Sequence, residues 1–258
     1  MRTAVSAMCS LKRKIQVVRV YMPYSVTTLL SVIVFSLVHL FASKLQRLDK
    51  VTHGRFLSAG GGVAIAYVFI DLLPKLAKSD LIVRQALAQV FPFAYFERHV
   101  YIMALLGFLL FFAVGQSHYL LKKKAQFCLT ISSYAFFNFL IGYAIVDKNN
   151  PEVQPLLLFT IAIGLHYFTN DFSLSEDHGK MYSKQGKWLL IASLFLGWLA
   201  GSLFTLSGMA IALVSAFIGG GVIMNVTRHE LPKENPHSLG SFLLFSILYS
   251  ILLLAVGS

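Results

Sequence analysis

Eight long apolar runs follow one another along this chain, separated by short polar breaks. A helix needs about 20 mostly apolar residues to cross a bilayer, and each run is close to that length. The first goes from Tyr21 to about Leu45, the second from Phe56 to Leu73, stopping at Pro74, and the third from Val100 to Leu121. The fourth goes from about Ala125 to Val146, the fifth from Val153 to about Leu174, and the sixth from Trp188 to Leu206. The seventh, Gly208 to about Thr227, is set off from the sixth by almost nothing polar, and the eighth spans Leu239 to Val256. The stretch Leu81 to Phe93 has another pattern. Ile82, Val83, Ala86, Leu87 and Val90 lie near helical spacing with Arg84, Gln85 and Gln89 opposite, which suits either a helix lying at the interface or an extension of the second span.

The pattern therefore predicts an all-α, polytopic membrane helix bundle of about eight transmembrane helices. Residues 21–258 form its single domain, and residues 1–20 a separate basic segment. Composition agrees: 57% of residues are hydrophobic and 13% charged, with a mean hydropathy of +0.70. Soluble chains average about 25% charged residues, so a soluble enzyme, a disordered tail and a nucleic-acid module are all excluded. The net charge of +11 belongs at the membrane edges, where anionic headgroups and topology account for it. Cys9 and Cys128 give neither a disulfide framework nor metal-site spacing. The apolar run after Arg19 is longer than the roughly 7–15 residues of a signal peptide core, and reads as a retained helix.

Basic residues in short loops mark the cytoplasmic side. From the third span onward they number eight on one side, including Lys122–Lys124 and Lys180–Lys187, against one on the other. This places those lysines in the cytoplasm and both termini outside, in the plasma membrane. The basic N-terminal segment opposes that assignment; a start at Met22 removes the conflict.

Two segments resemble each other. Gly60-Gly61-Gly62-Val63 precedes Asp71-Leu72-Leu73-Pro74-Lys75, and Gly219-Gly220-Gly221-Val222 precedes His229-Glu230-Leu231-Pro232-Lys233. They lie in the second and seventh spans, which cross in opposite directions. An inverted repeat of this kind is a common build of secondary transporters, and the glycines let helix backbones approach closely.

Ionisable groups at membrane depth are expensive and mark functional sites. The fifth span holds the clearest set, in Gly164-Leu165-His166-Tyr167-Phe168-Thr169-Asn170-Asp171. His166 and Asn170, four apart, share a helix face, and Asp171 points partly aside. Imidazole, amide oxygen and carboxylate suit a divalent cation, with Asn138 of the fourth span as the best partner from elsewhere. A buried packing histidine is the alternative reading of His166. Gln116, Ser117, His118, Asp71, Asn225, His229 and Glu230 are weaker candidates near span ends, and His39 is placed to snorkel.

Taken together, these features resemble the ZIP (Zrt/Irt-like) family of divalent metal transporters. Ala59 to Gly62 and Leu72-Leu73-Pro74 fit that family's second-span pattern. Its fourth-span His-Asn-x-Pro-Asp/Glu-Gly motif falls on Phe137-Asn138-Phe139-Leu140-Ile141-Gly142. Its fifth-span His-Glu-x-Pro-His/Glu-Glu-like motif falls on His166-Tyr167-Phe168-Thr169-Asn170-Asp171. The resemblance covers roughly residues 25 to 256 and implies eight spans with both termini outside. Phe137 and Ile141 replace two family ligands, and Leu140 and Thr169 replace both motif prolines, so the usual binuclear site is incomplete.

What the resemblance implies is a divergent transporter moving zinc, iron or manganese through a reduced site of His166, Asn138, Asn170 and Asp171, by rocking one bundle against another. No tightly bound cofactor, enzyme activity or nucleic-acid partner is expected; the lipid bilayer and the cation are the partners. The alternative is the same scaffold without metal transport, acting as a regulator or partner or moving another solute. An intramembrane protease based on Gly115-Gln116-Ser117-His118 is a distant third. Gly197 and Gly201 form a GxxxG pair that suits either a homodimer or internal packing.

Overall fold

The structure is a computed structural model that describes residues 23–42, 50–88, 98–148, 152–230 and 236–256. The basic segment 1–20 lies outside the described residues. Among the described residues every regular element is helical. The α-helices are α1 (Tyr24–Phe41), α2 (Lys50–Tyr67), α3 (Leu73–Ala88), α4 (His99–Gln116), α5 (Lys123–Ala144), α6 (Val153–Met181), α7 (Lys187–Leu203), α8 (Gly208–Asn225) and α9 (Pro236–Val256). Among the described residues seven continuous helical stretches are long and apolar enough to cross a membrane. The longest, Val153–Leu203, has 51 residues and carries both the fifth and the sixth apolar runs.

That stretch does not run straight. Gly179 has φ 47° and ψ −115°, a backbone conformation open to glycine and strained for other residues. Its two arms run in opposite senses along α5. Phe127, early in α5, packs edge-on against His178, late in α6. Ile131 lies against Gly186, while Gly142, further along α5, lies against Leu194 and Trp198 of α7. The chain thus reverses where the sequence offers only a lysine-bearing break and one glycine.

Pro74 does not end the second helical stretch. A π-helical turn, Val68–Leu72, joins α2 to α3, and the Leu73 N–H bonds the Val68 carbonyl five residues back. A proline inside a helix lacks a donor and collides with the carbonyl four residues earlier. The widened π turn places that irregularity just ahead of Pro74. The helix continues through Leu81 to Ala88, so the described part of the 81–93 stretch extends the second span. Of two further π-helical turns, Tyr182–Gly186 and Val226–Glu230, the latter follows the glycine triplet of α8 at nearly the same distance. Sixth and seventh runs are separated by extended backbone at Phe204 and by Ser207, whose hydroxyl accepts the Ala210 N–H and caps α8.

Three parallel helix pairs dominate the packing: α2 with α9, α4 with α8, and α5 with α7. Glycine sets their closeness. A β-carbon on Gly220 would collide with the Ala104 carbonyl, and one on Gly107 with the Phe217 carbonyl. In lipid, where apolar burial drives helix association little, such backbone contact supplies dispersion energy instead. Phe35 of α1, Phe137 and Ile141 of α5, Tyr167 of α6 and Leu194 of α7 are fully buried in one apolar core.

Candidate functional site

α1 turns a polar stripe inward. Thr28, Ser31 and His39 are buried, at i, i+3 and i+11, about one and three turns along the same helix face. Thr160 of α6 donates to the Ser31 hydroxyl at 2.8 Å, and the Trp198 indole of α7 donates to Thr28 at 3.2 Å. These bonds seat α1 so that His39 reaches the core.

There the His39 ring lies between two expected site residues. Its Nδ1 is 2.6 Å from Asp171 Oδ2, and its Nε2 is 2.9 Å from Asn138 Oδ1. Asp171 is 0% exposed, His39 and Asn138 1%. The Asn138 amide nitrogen donates to the Tyr134 carbonyl at 2.8 Å, which turns its oxygen toward His39. Nε2 of His39 must therefore donate. A proton must also lie between Nδ1 and the carboxylate, because two lone pairs would repel at that distance. The pair is either an imidazolium with a carboxylate or a neutral ring with a carboxylic acid. Both descriptions hold one proton and no net charge, which suits a group removed from water. Tyr167 stacks obliquely on His39, ring centres 4.8 Å apart, and the buried Tyr182 hydroxyl lies beside Asp171.

The expected four-residue set is divided by this arrangement. Asn138 and Asp171 meet through His39. His166 and Asn170 form a separate pair, the Asn170 amide donating to His166 Nε2 at 3.0 Å. Among the described residues no three of His, Cys, Asp and Glu converge as a metal-holding group. Phe137 packs edge-on against Phe111 and abuts Gly221, and Ile141 is fully buried. Apolar volume thus occupies both positions that the family motif assigns to ligands.

The glycines of the two similar segments sit at helix contacts. Gly60 faces Thr169 and Leu165, and a β-carbon on Gly62 would strike the Phe242 carbonyl. Gly61 is buried. Gly219 faces Leu72, Gly220 the Ala104 carbonyl, and Gly221 the rings of Phe137 and Phe111. Ser117 donates to the Val114 carbonyl at 2.6 Å, a bond within its own helical turn. Asp71 pairs with Lys75 at 2.7 Å on an exposed helix face. His39 is the residue that sequence reasoning undervalued; the stripe Thr28, Ser31, His39 within an apolar run was the available signal.

One turn from Asn138, Tyr134 donates to Asn225 Oδ1 at 3.1 Å. Both line a cavity of about 280 Å³, together with His118, His178 and Arg228. It lies at the end of the bundle that carries the exposed Lys122–Lys124 and Lys180.

Fold and core define a polytopic helical membrane protein with a buried polar network. No protein-family model matches the chain, and no curated protein matches it.

Proposed function

We propose that this chain is a transporter-like membrane protein on an eight-span, ZIP-like scaffold, whose core carries a proton on the His39–Asp171 pair and which moves a solute other than a divalent metal. The observation that carries the reading is the His39 ring held by both nitrogens between Asp171 and Asn138. Those two residues, expected as metal donors, have each other's needs met through an imidazole. A buried ionisable pair that can exchange one proton is the usual element of a proton-coupled carrier.

Several features support the scaffold. The π-helical turns Val68–Leu72 and Val226–Glu230 occupy matching places after the two glycine triplets. Under an inverted repeat that relates the first three spans to the last three, the α2–α9 pair maps onto the α8–α4 pair, and both are close parallel contacts. On this reading the reversal at Gly179 makes Val153–Leu203 two crossings, eight with the other six stretches. The shared end of Lys122–Lys124 and Lys180 is the cytoplasmic one on the basic-residue rule, leaving both termini outside.

A divalent-cation substrate remains the second reading. Among the described residues, Asn170 Oδ1 and Asp171 Oδ1 are buried without hydrogen-bond partners, and oxygen acceptors of that kind suit a cation.

Two measurements on the purified chain decide between them. Nitrogen-15 NMR of labelled histidine should show one ring with Nε2 protonated and Nδ1 sharing a proton in a short hydrogen bond, a signature lost in Asp171→Asn. Metal analysis after equilibration with zinc or manganese should find well under one ion per chain. Stoichiometric metal in the wild type, absent from Asp171→Asn, overturns the proton reading in favour of the cation.

A further inference from the structure

The cavity of about 280 Å³ between α4, α5, α6 and α8 is separate from the His39–Asp171 pair, and its lining includes Arg228 and Asn225. Arg228 reaches over Gly115 from the π turn after α8. One of its N–H groups donates to the Gly115 carbonyl at 2.7 Å, which fixes the guanidinium in the wall. Among the described residues Arg228 makes no ion pair. A guanidinium has five N–H donors in a planar fork, suited to phosphate and carboxylate oxygens.

Three further observations agree. Asn225 lines the same cavity and is 2% exposed, and its Nδ2 is a buried donor without a partner among the described residues. Its oxygen is already taken by the Tyr134 hydroxyl, so the unused group is the one that an anion accepts from. Gln126, also in the wall, sits in the first turn of α5, which begins at Lys123 with no side-chain cap and no acidic residue in that turn. Uncapped N–H groups and the helix dipole make that end positive. Lys122–Lys124 are exposed beside it, and the opposing charge in the lining is Asp177, itself exposed at the rim.

We infer that this cavity binds an oxyanion, a phosphate group either free in solution or carried by an anionic lipid headgroup. A metal cation is disfavoured by Arg228 and the lysines. The inference stands whether or not the core carries a proton.

The test uses the full chain purified in detergent, with thermal unfolding followed as inorganic phosphate is added. A parallel arm uses nanodiscs of phosphatidylcholine with and without phosphatidylglycerol. A saturating rise of the midpoint with phosphate is expected, with affinity about tenfold or more weaker in Arg228→Gln, as befits loss of a charged hydrogen bond. A rise confined to the phosphatidylglycerol discs and removed by Arg228→Gln assigns the site to the headgroup. If neither probe moves the midpoint, or if Arg228→Gln responds like the wild type, the inference is overturned. Should that variant fail to fold, Gly115→Ala replaces it, because its new β-carbon occupies the place of the guanidinium. It must show the same loss, and a wild-type response from it is equally fatal.

Discussion

His39 and Asp171 stand 132 residues apart in the chain and 2.6 Å apart in the core, where each is almost wholly removed from water. Removing one partner leaves a buried, uncompensated charge or donor. His39→Leu and Asp171→Leu are each expected to lower stability by about 3–5 kcal/mol. The double variant should lose less than the sum of the two. Thermal unfolding in detergent reads this, and additive losses would mean that the two residues do not meet.

His166 and Asp171 give the contrasting cycle. His166 bonds Asn170 rather than Asp171, so the pair His166→Ala with Asp171→Asn should be additive within about 0.5 kcal/mol. Strong coupling between them would instead restore the single four-residue site.

Glycine positions separate contact from conformation. Gly220→Ala drives a β-carbon into the Ala104 carbonyl, and overpacking of this kind costs about 1–3 kcal/mol. Gly208 has open space around it and begins α8, so Gly208→Ala should be neutral or raise stability by about 0.4–1 kcal/mol. Equal effects of the two on the unfolding midpoint would contradict the close α4–α8 approach.

Gly179 also has open space, with nothing within 4 Å of where a β-carbon would stand, yet its φ is 47°. Gly179→Ala should cost about 1–3 kcal/mol through backbone strain alone. Cysteine accessibility at Lys180 and Lys187 provides a second readout: both should stay on one side of the membrane in the wild type.

Tyr134→Phe deletes the donor to Asn225 Oδ1 and leaves that buried oxygen unmet. A loss of about 1–3 kcal/mol is expected, together with a changed response to phosphate, since both residues line the cavity.

The apolar runs and the helices they form agree within a few residues at most boundaries, as α4, α5, α8 and the start of α6 illustrate. Hydropathy is a local property: a bilayer-spanning helix satisfies its own backbone, so the decision is made residue by residue. Pro74 misled for a related reason. A proline ends a regular helix, but the π turn ahead of it sits where α2 packs against α9 and α3 against α8, which no window of sequence contains.

The sequence by itself also singled out Asn138, His166, Asn170 and Asp171, because polar groups at membrane depth are costly wherever they point. Only the tertiary structure decided how they are grouped. His166 and Asp171, five residues apart, project about 140° apart around a helix of 3.6 residues per turn. Each therefore meets different neighbours, and His39 arrives at Asp171 from another helix. Cost of burial is written in the chain; the partner that offsets it is a matter of helix rotation and packing, set by the glycine contacts between α-helices far apart in sequence.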